Sequence, residues 1–373
     1  MKNITNYIIL FLLLIGLGIL YRRFEEKRLL EENDGTDKAI QKYLLNEASL
    51  AKTKKPILWI HVPYEYNSRK WLSFGSRSSF DLNQPYLYLT VKSILQQCED
   101  SFTICLIDDQ SFQNLIPDWS IDMSRLSSPI LENVRKMALM KLIYIYGGLL
   151  CPISFLCLKD LIGLYNKGTR GDKMFLCETN DRNVTSTTQN FYPSLSFSGA
   201  NKENPMVGQL IDFMQRIISV DYTAQSTFLG DFDRWCESRV KKHQINLIPG
   251  VDIGTKTVDD QPILLEDLIS QQYLNIYPQT YGILIPADEL LNRRQYGWFV
   301  RMSQKQVLQS NTIIGSYLLI ANAPDARGSI LEPLEVKPKN WVGFWKTPLY
   351  PGLYGQKPNM LGDNLIMEKY PGR

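Results

Sequence analysis

Residues 133–161, NVRKMALMKLIYIYGGLLCPISFLCLKDL, constrain the fold of this chain more than any other stretch. Met137, Leu139, Met140, Leu142, Ile143 and Tyr146 recur at helical spacing, which predicts a buried amphipathic helix. Gly147-Gly148 then breaks it, because paired glycines adopt backbone angles closed to other residues. The apolar residues that follow predict a short buried strand, so the chain turns sharply from a helix into its core.

Upstream, Pro56–Val62 (PILWIHV) predicts a first strand, followed by a loop with Tyr64, Tyr66, Arg69, Lys70 and Trp71. Pro85–Gln97 predicts a helix, and Phe102–Ile107 a second buried strand that ends in Asp108-Asp109. Strand, helix, strand, helix, Gly-Gly, strand is the order of an open α/β sheet with mostly parallel strands. Ligands of such sheets bind beyond the carboxyl ends of the strands. Asp108 and Asp109 are therefore the best-placed acids of this half, either as catalytic candidates or as caps of the next turn.

Downstream, Lys173–Cys177 and Ser194–Gly199 predict strands, and Pro205–Val220, Thr227–Lys242 and Ile263–Tyr273 predict helices. Gly282–Ile285 and Thr312–Ala321 are strand or buried-helix candidates. Hydrophobic residues make up 44% of the 373, enough for a packed core in one large or two ordinary domains. Forty-one basic residues against thirty-eight acidic ones, without a long basic run, argue against a nucleic-acid partner. The two histidines, His61 and His243, stand too far apart for an ordinary zinc spacing.

Both ends differ from this middle. Residues 4–21 are mostly apolar and carry no charge; at about 1.5 Å per residue they reach roughly 27 Å, close to the roughly 30 Å of a bilayer core. We expect a retained transmembrane anchor over residues 1–21, since no clear small-x-small cleavage site precedes Arg22-Arg23. Arg22, Arg23, Lys27 and Arg28 crowd its carboxyl side, which places the globular part on the cytoplasmic face. The cysteines have no framework-like spacing and agree with that face; Asn3-Ile-Thr and Asn183-Val-Thr are formal sequons that would go unused there. Residues 22–55 form a charged, helical stalk, residues 56–323 the α/β domain, and residues 324–373 a proline- and aromatic-rich arm. Trp341, Phe344, Trp345, Tyr350, Tyr354 and Tyr370 need cover, so the arm is expected to lie on its own domain or on a protein partner.

Tyr146-Gly147-Gly148, followed by Cys157-Leu158-Lys159-Asp160-Leu161, resembles the signature of family-32-like and capsular-polysaccharide-synthesis-type glycosyltransferases. In that signature a helix with an Asp and an Arg three apart ends in Tyr-Gly-Gly, a strand ends in Asp-x-Asp, and a Leu-Lys-Pro-Leu-like turn follows. The resemblance implies a GT-A-like nucleotide-diphospho-sugar transferase fold, and it covers residues 56–220. It also implies that the end of the first strand lies beside the nucleotide, where His61 is either a ligand contact or a hydrogen-bonded core residue.

The chemistry of that signature is missing. Pro152-Ile153-Ser154 stands where the family has Asp-x-Asp, and Lys136 and Leu139 stand where it has the helix Asp and Arg. In the family the carboxylates hold Mn²⁺ or Mg²⁺ against the diphosphate of a nucleotide sugar. Proline offers no side-chain ligand and a serine hydroxyl is a weak neutral one, so no metal is expected at 152–154 and no cofactor is predicted. Two functions follow. The chain is a catalytically degenerate structural or binding component at a membrane, as a link between an internal virion membrane and its capsid would be, since relatives of the family, some degenerate, occur in large DNA viruses. Alternatively it is an active, metal-independent transferase that uses a nucleotide sugar and sets Arg135, Lys136 or Arg182 against the diphosphate.

Overall fold

A computed structural model describes residues 55–63, 84–126, 130–180, 190–220, 230–276 and 279–322. The expected anchor, the stalk over residues 22–54, the loop from Tyr64 to Trp71, Arg182 and the arm over residues 324–373 lie outside the described residues. Within them, no helix is long and apolar enough to cross a membrane.

The chain is a mixed α/β protein around a six-stranded sheet. Its strands are β1 (Ile57–His61), β2 (Thr103–Ile107), β3 (Gly148–Leu150), β5 (Phe175–Asn180), β6 (Phe191–Ala200) and β7 (Asn246–Ile248), in the order β2-β1-β3-β6-β5-β7. β1 runs parallel to β2, with Trp59 opposite Cys105, and parallel to β3, with Trp59 opposite Leu150. β5 and β7 are also parallel, whereas β6 is antiparallel to both β3 and β5. The mostly parallel sheet expected from the order of elements is present, with one reversed strand at its centre.

Helices cover the sheet. Ile57 and Trp59 of β1 and Cys105 and Ile107 of β2 alternate toward a core closed by α3 (Ile130–Tyr146), α5 (Pro205–Val220) and α6 (Gly230–Lys241). A second core gathers α1 (Tyr86–Cys98), β4 (Phe155–Cys157), α7 (Leu265–Ile269) and β8 (Gly282–Leu284) with the short helices α8 (Ala287–Asn292), α9 (Gly297–Val300), α10 (Gln304–Leu308) and α11 (Ile313–Asn322). The remaining helices are α2 (Ser111–Leu115) and α4 (Ile162–Gly168). The candidate at Thr312–Ala321 is thus a helix, and the one at Gly282–Ile285 a strand.

The glycine break is built as its composition requires. Gly147 has φ +72° and its N–H caps α3 on the Ile143 carbonyl at 2.9 Å. Gly148 has φ +110°, and a Cβ there would lie 2.2 Å from the Ile57 carbonyl oxygen, so only glycine lets β3 dock on β1. Trp59 locks the turn from below, its buried indole N–H donating to the Gly147 carbonyl at 2.9 Å.

One expectation is corrected here. The apolar run after the glycines is not a single strand: β3 belongs to the main sheet, while β4 pairs antiparallel with β8 in a separate two-stranded sheet. Pro152 interrupts the run, and its carbonyl accepts the Phe155 N–H at 3.0 Å in a turn. Hydrophobicity alone does not reveal such a change of sheet.

Candidate functional site

A cleft of about 610 Å³ opens beyond the carboxyl ends of β1, β3 and β5, where α/β sheets place their ligands. Much of its lining comes from strands of the sheet. β1 contributes His61, the exit of β3 contributes Leu150 to Ser154, β5 contributes Thr179 and Asn180, and β6 contributes Tyr192, Ser194 and Ser196. The far side is the stretch from Leu284 to Glu289 that leaves β8 and starts α8.

Pro152 and Ser154 line this cleft, at the strand exit where the resembling family carries its metal-holding acids. The donor set does not fit a divalent ion: proline supplies no ligand atom, and Ser154, 6% exposed, supplies only a neutral hydroxyl. Among the described residues, no group of three His, Cys, Asp or Glu side chains is placed to hold a metal ion.

Three of the candidate residues meet. Asp109 follows β2 and lies under the tip of β1, where its Oδ1 is 2.9 Å from His61 Nε2. An ionised carboxylate only accepts, so the Nε2 atom carries the hydrogen. Arg135, from the first half of α3, donates through Nε to both Asp109 oxygens at 3.0 Å and through its terminal nitrogen to Oδ2 at 2.6 Å. The His61 ring stacks on Phe112, with centroids 5.6 Å apart and planes 12° from parallel. Burial alone raises the Asp109 carboxyl, but the hydrogen bonds and charge of His61 and Arg135 overcome it and hold the group at about 2. Such a carboxylate stays ionised and fully engaged, which suits a structural clamp and not a proton-accepting base.

The other candidates lie elsewhere. Asp108 closes the turn that leads into α2, accepting from the Ser111 N–H at 2.9 Å and from its hydroxyl at 2.6 Å. Lys136 acts on Asp233 and Cys236 of α6, away from the cleft. Leu139 lines the cleft where the family's helix arginine is expected.

Several cleft residues gave no motif-level signal. Thr179, Tyr192, Ser194, Ser196 and Thr255 bring hydroxyls to the lining, and Asp288 and Glu289 bring acids, of which Glu289 pairs with Arg293 at 2.7 Å. The alternating serines of SLSFSG are the one trace in the sequence that points to this lining. Behind it Glu178 accepts from Gly250 N–H at 2.9 Å and pairs with Lys256 at 2.9 Å, and Lys256 in turn lies 4.2 Å from the centre of the Phe191 ring. Cys151 also lines the cleft. Burial, then the neighbouring Cys98 and Cys177, push its thiol well above the ordinary range, so it is no nucleophile at neutral pH.

The sequence matches no family model and no curated protein at a significant level.

Proposed function

We propose that this chain is a membrane-anchored, glycosyltransferase-like protein that has lost metal-dependent sugar transfer and serves as a structural or binding component. One observation carries the reading: Pro152 and Ser154 line the strand-end cleft at the position where metal-holding acids belong in the resembling family. The six-stranded order with a single reversed strand is compatible with a GT-A-like arrangement. Arg135, one of the three cations considered for the diphosphate, is paired with Asp109.

The remaining parts of the reading come from the sequence. Residues 4–21 anchor the chain in a membrane, the domain faces the cytoplasmic side, and the proline-aromatic arm engages a protein partner. A link between an internal virion membrane and a capsid is the assembly that combines these three features.

The test is nucleotide release. The full chain in detergent is incubated with UDP- and GDP-sugars, with and without Mn²⁺, and free UDP or GDP is measured. No release above the protein-free blank is expected. Release that scales with protein concentration and is abolished by denaturation would establish an active transferase instead.

A further inference from the structure

We propose that Cys98 and Cys157 are a redox-convertible pair: two thiols in reducing surroundings, and a disulfide that bridges the end of α1 to the end of β4 when the chain meets a disulfide oxidant.

The first observation is the contact. Cys98 is the last residue of α1 and Cys157 the last of β4, and their sulfurs lie 3.9 Å apart with both side chains fully buried. A disulfide holds its sulfurs about 2.05 Å apart, so closure asks each to move about 1 Å. In the dithiol the Cys157 thiol donates to the Lys159 carbonyl at 3.0 Å, which leaves the Cys98 hydrogen to point at the Cys157 sulfur.

The second is alignment. Polar ties on both sides of the pair fix α1 along the segment that runs through β4. Before it, the Thr90 hydroxyl donates to the Ile153 carbonyl at 2.6 Å, and Ser93 Oγ accepts the Cys157 N–H at 3.0 Å. After it, the Ser101 hydroxyl donates to Asp160, whose other oxygen accepts the Ile162 N–H at 3.0 Å. The backbone of Cys157 is thus held by the same helix that carries Cys98. Such ties keep two thiols at a high effective concentration, which favours an internal bridge over adducts with the oxidant. The other cysteines are placed differently: Cys105 and Cys236 belong to the main core, and Cys151 Sγ donates to the Pro152 carbonyl at 3.7 Å.

Burial governs the rate. It raises the Cys157 thiol well above the ordinary range, with the hydrogen bond and charge of Cys98 adding to the rise, so the attacking thiolate is scarce. Glu99 and Asp100, directly after Cys98, are exposed, and the end of α1 is the side from which an oxidant reaches the pair. With glutathione disulfide, one protein thiolate attacks a sulfur of the oxidant, releases a glutathione thiolate and leaves a mixed disulfide. The second protein thiolate attacks the protein sulfur of that mixed disulfide and releases the other glutathione. Two electrons pass to the oxidant, and the two thiol protons end on the two glutathiones. The bridge joins residues 59 positions apart and so restrains the unfolded chain. On the cytoplasmic face proposed above the glutathione pool keeps the pair as thiols, and transfer to oxidising surroundings closes it.

The test equilibrates the full chain in detergent with mixtures of reduced and oxidised glutathione, quenches with acid, alkylates the free thiols and maps the peptides by mass spectrometry. A Cys98–Cys157 linkage that forms and disappears reversibly with the glutathione ratio is expected. Its equilibrium constant is expected to be about tenfold or more larger in native buffer than in concentrated urea, and the bridged form to melt about 5 °C or more above the dithiol. Cys98→Ala and Cys157→Ala abolish the linkage and the difference in Tm, whereas Cys105→Ala keeps both. Absence of the linkage in the most oxidising mixture, a bridge through another cysteine, or glutathione adducts without a bridge overturns the proposal, as does a bridge no more favourable in the fold than in urea. The peptide map of the unmodified sequence decides among these outcomes if an alanine variant fails to fold.

Discussion

Arg135 grips Asp109 with two nitrogens, Nε at 3.0 Å from both carboxylate oxygens and a terminal nitrogen 2.6 Å from Oδ2. The pair ties α3 to the end of β2, and through His61 to the end of β1. Two of the candidate site residues thereby form a brace between elements.

Removing one member strands the other. Arg135 is 10% exposed and Asp109 21%, so Arg135→Met is expected to cost about 2–3 kcal/mol, below the roughly 3–5 of a fully buried pair. The double variant Arg135→Met with Asp109→Asn recovers part of that loss. Urea unfolding of the four proteins in a double-mutant cycle measures the coupling, and additive losses would contradict it.

The same carboxylate sets an acid limb. Its pKa falls from an ordinary 3.8 to about 2 on folding, so its stabilisation is full above pH 3.8 and is lost as pH falls through about 2. The expected contribution is about 2 kcal/mol. Thermal unfolding between pH 2 and pH 5 should show the Asp109→Asn variant with a flatter profile than the wild type.

Asp233 behaves in the opposite sense. Burial pushes its carboxyl up to about 6, with Lys136 and Arg234 offsetting only part of that cost. The neutral form is favoured in the fold, so its stabilisation is present below the unfolded value and is lost as pH rises through about 6. Asp233→Asn is expected to raise stability by about 1–2 kcal/mol at pH 7.5 and to change it little at pH 3.5. A variant that is destabilised equally at both pH values would mean that the carboxylate makes a needed ionic contact.

Gly148 and Gly171 separate backbone strain from collision. Both have positive φ, but a Cβ on Gly148 strikes the Ile57 carbonyl oxygen at 2.2 Å, whereas one on Gly171 meets nothing within 4 Å. Gly171→Ala should cost about 1–2 kcal/mol from φ alone. Gly148→Ala has no way to relieve the overlap without parting β3 from β1, and it is expected to abolish soluble folded protein. Similar stability of the two variants would place the docking of β3 elsewhere.

Much of this framework is legible in the residues themselves. β1, α1, β2 and the α3-glycine turn are written in buried periodicity, because each is apolar enough to belong nowhere but the core. The reversal of β6 is not, since strand direction is set by the connections and not by the residues of the strand. The change of sheet after Leu150 is masked by the continuous apolar run, with Pro152 as its only local sign. At the site, His61, Asp109 and Arg135 are each conspicuous, yet their meeting joins residues 48 and 26 positions apart and is a product of the sheet. The hydroxyls of the cleft lining come from serines, threonines and a tyrosine that are ordinary singly and meet only in the fold.

The central claim is that the strand-end cleft has lost its grip on a nucleotide diphosphate. Isothermal titration of the full chain with UDP-glucose, UDP-N-acetylglucosamine and GDP-mannose, with and without Mn²⁺, measures this directly. The account predicts no saturable heat with any donor and no effect of the ion. Saturable micromolar binding that tightens when Mn²⁺ is added would contradict it.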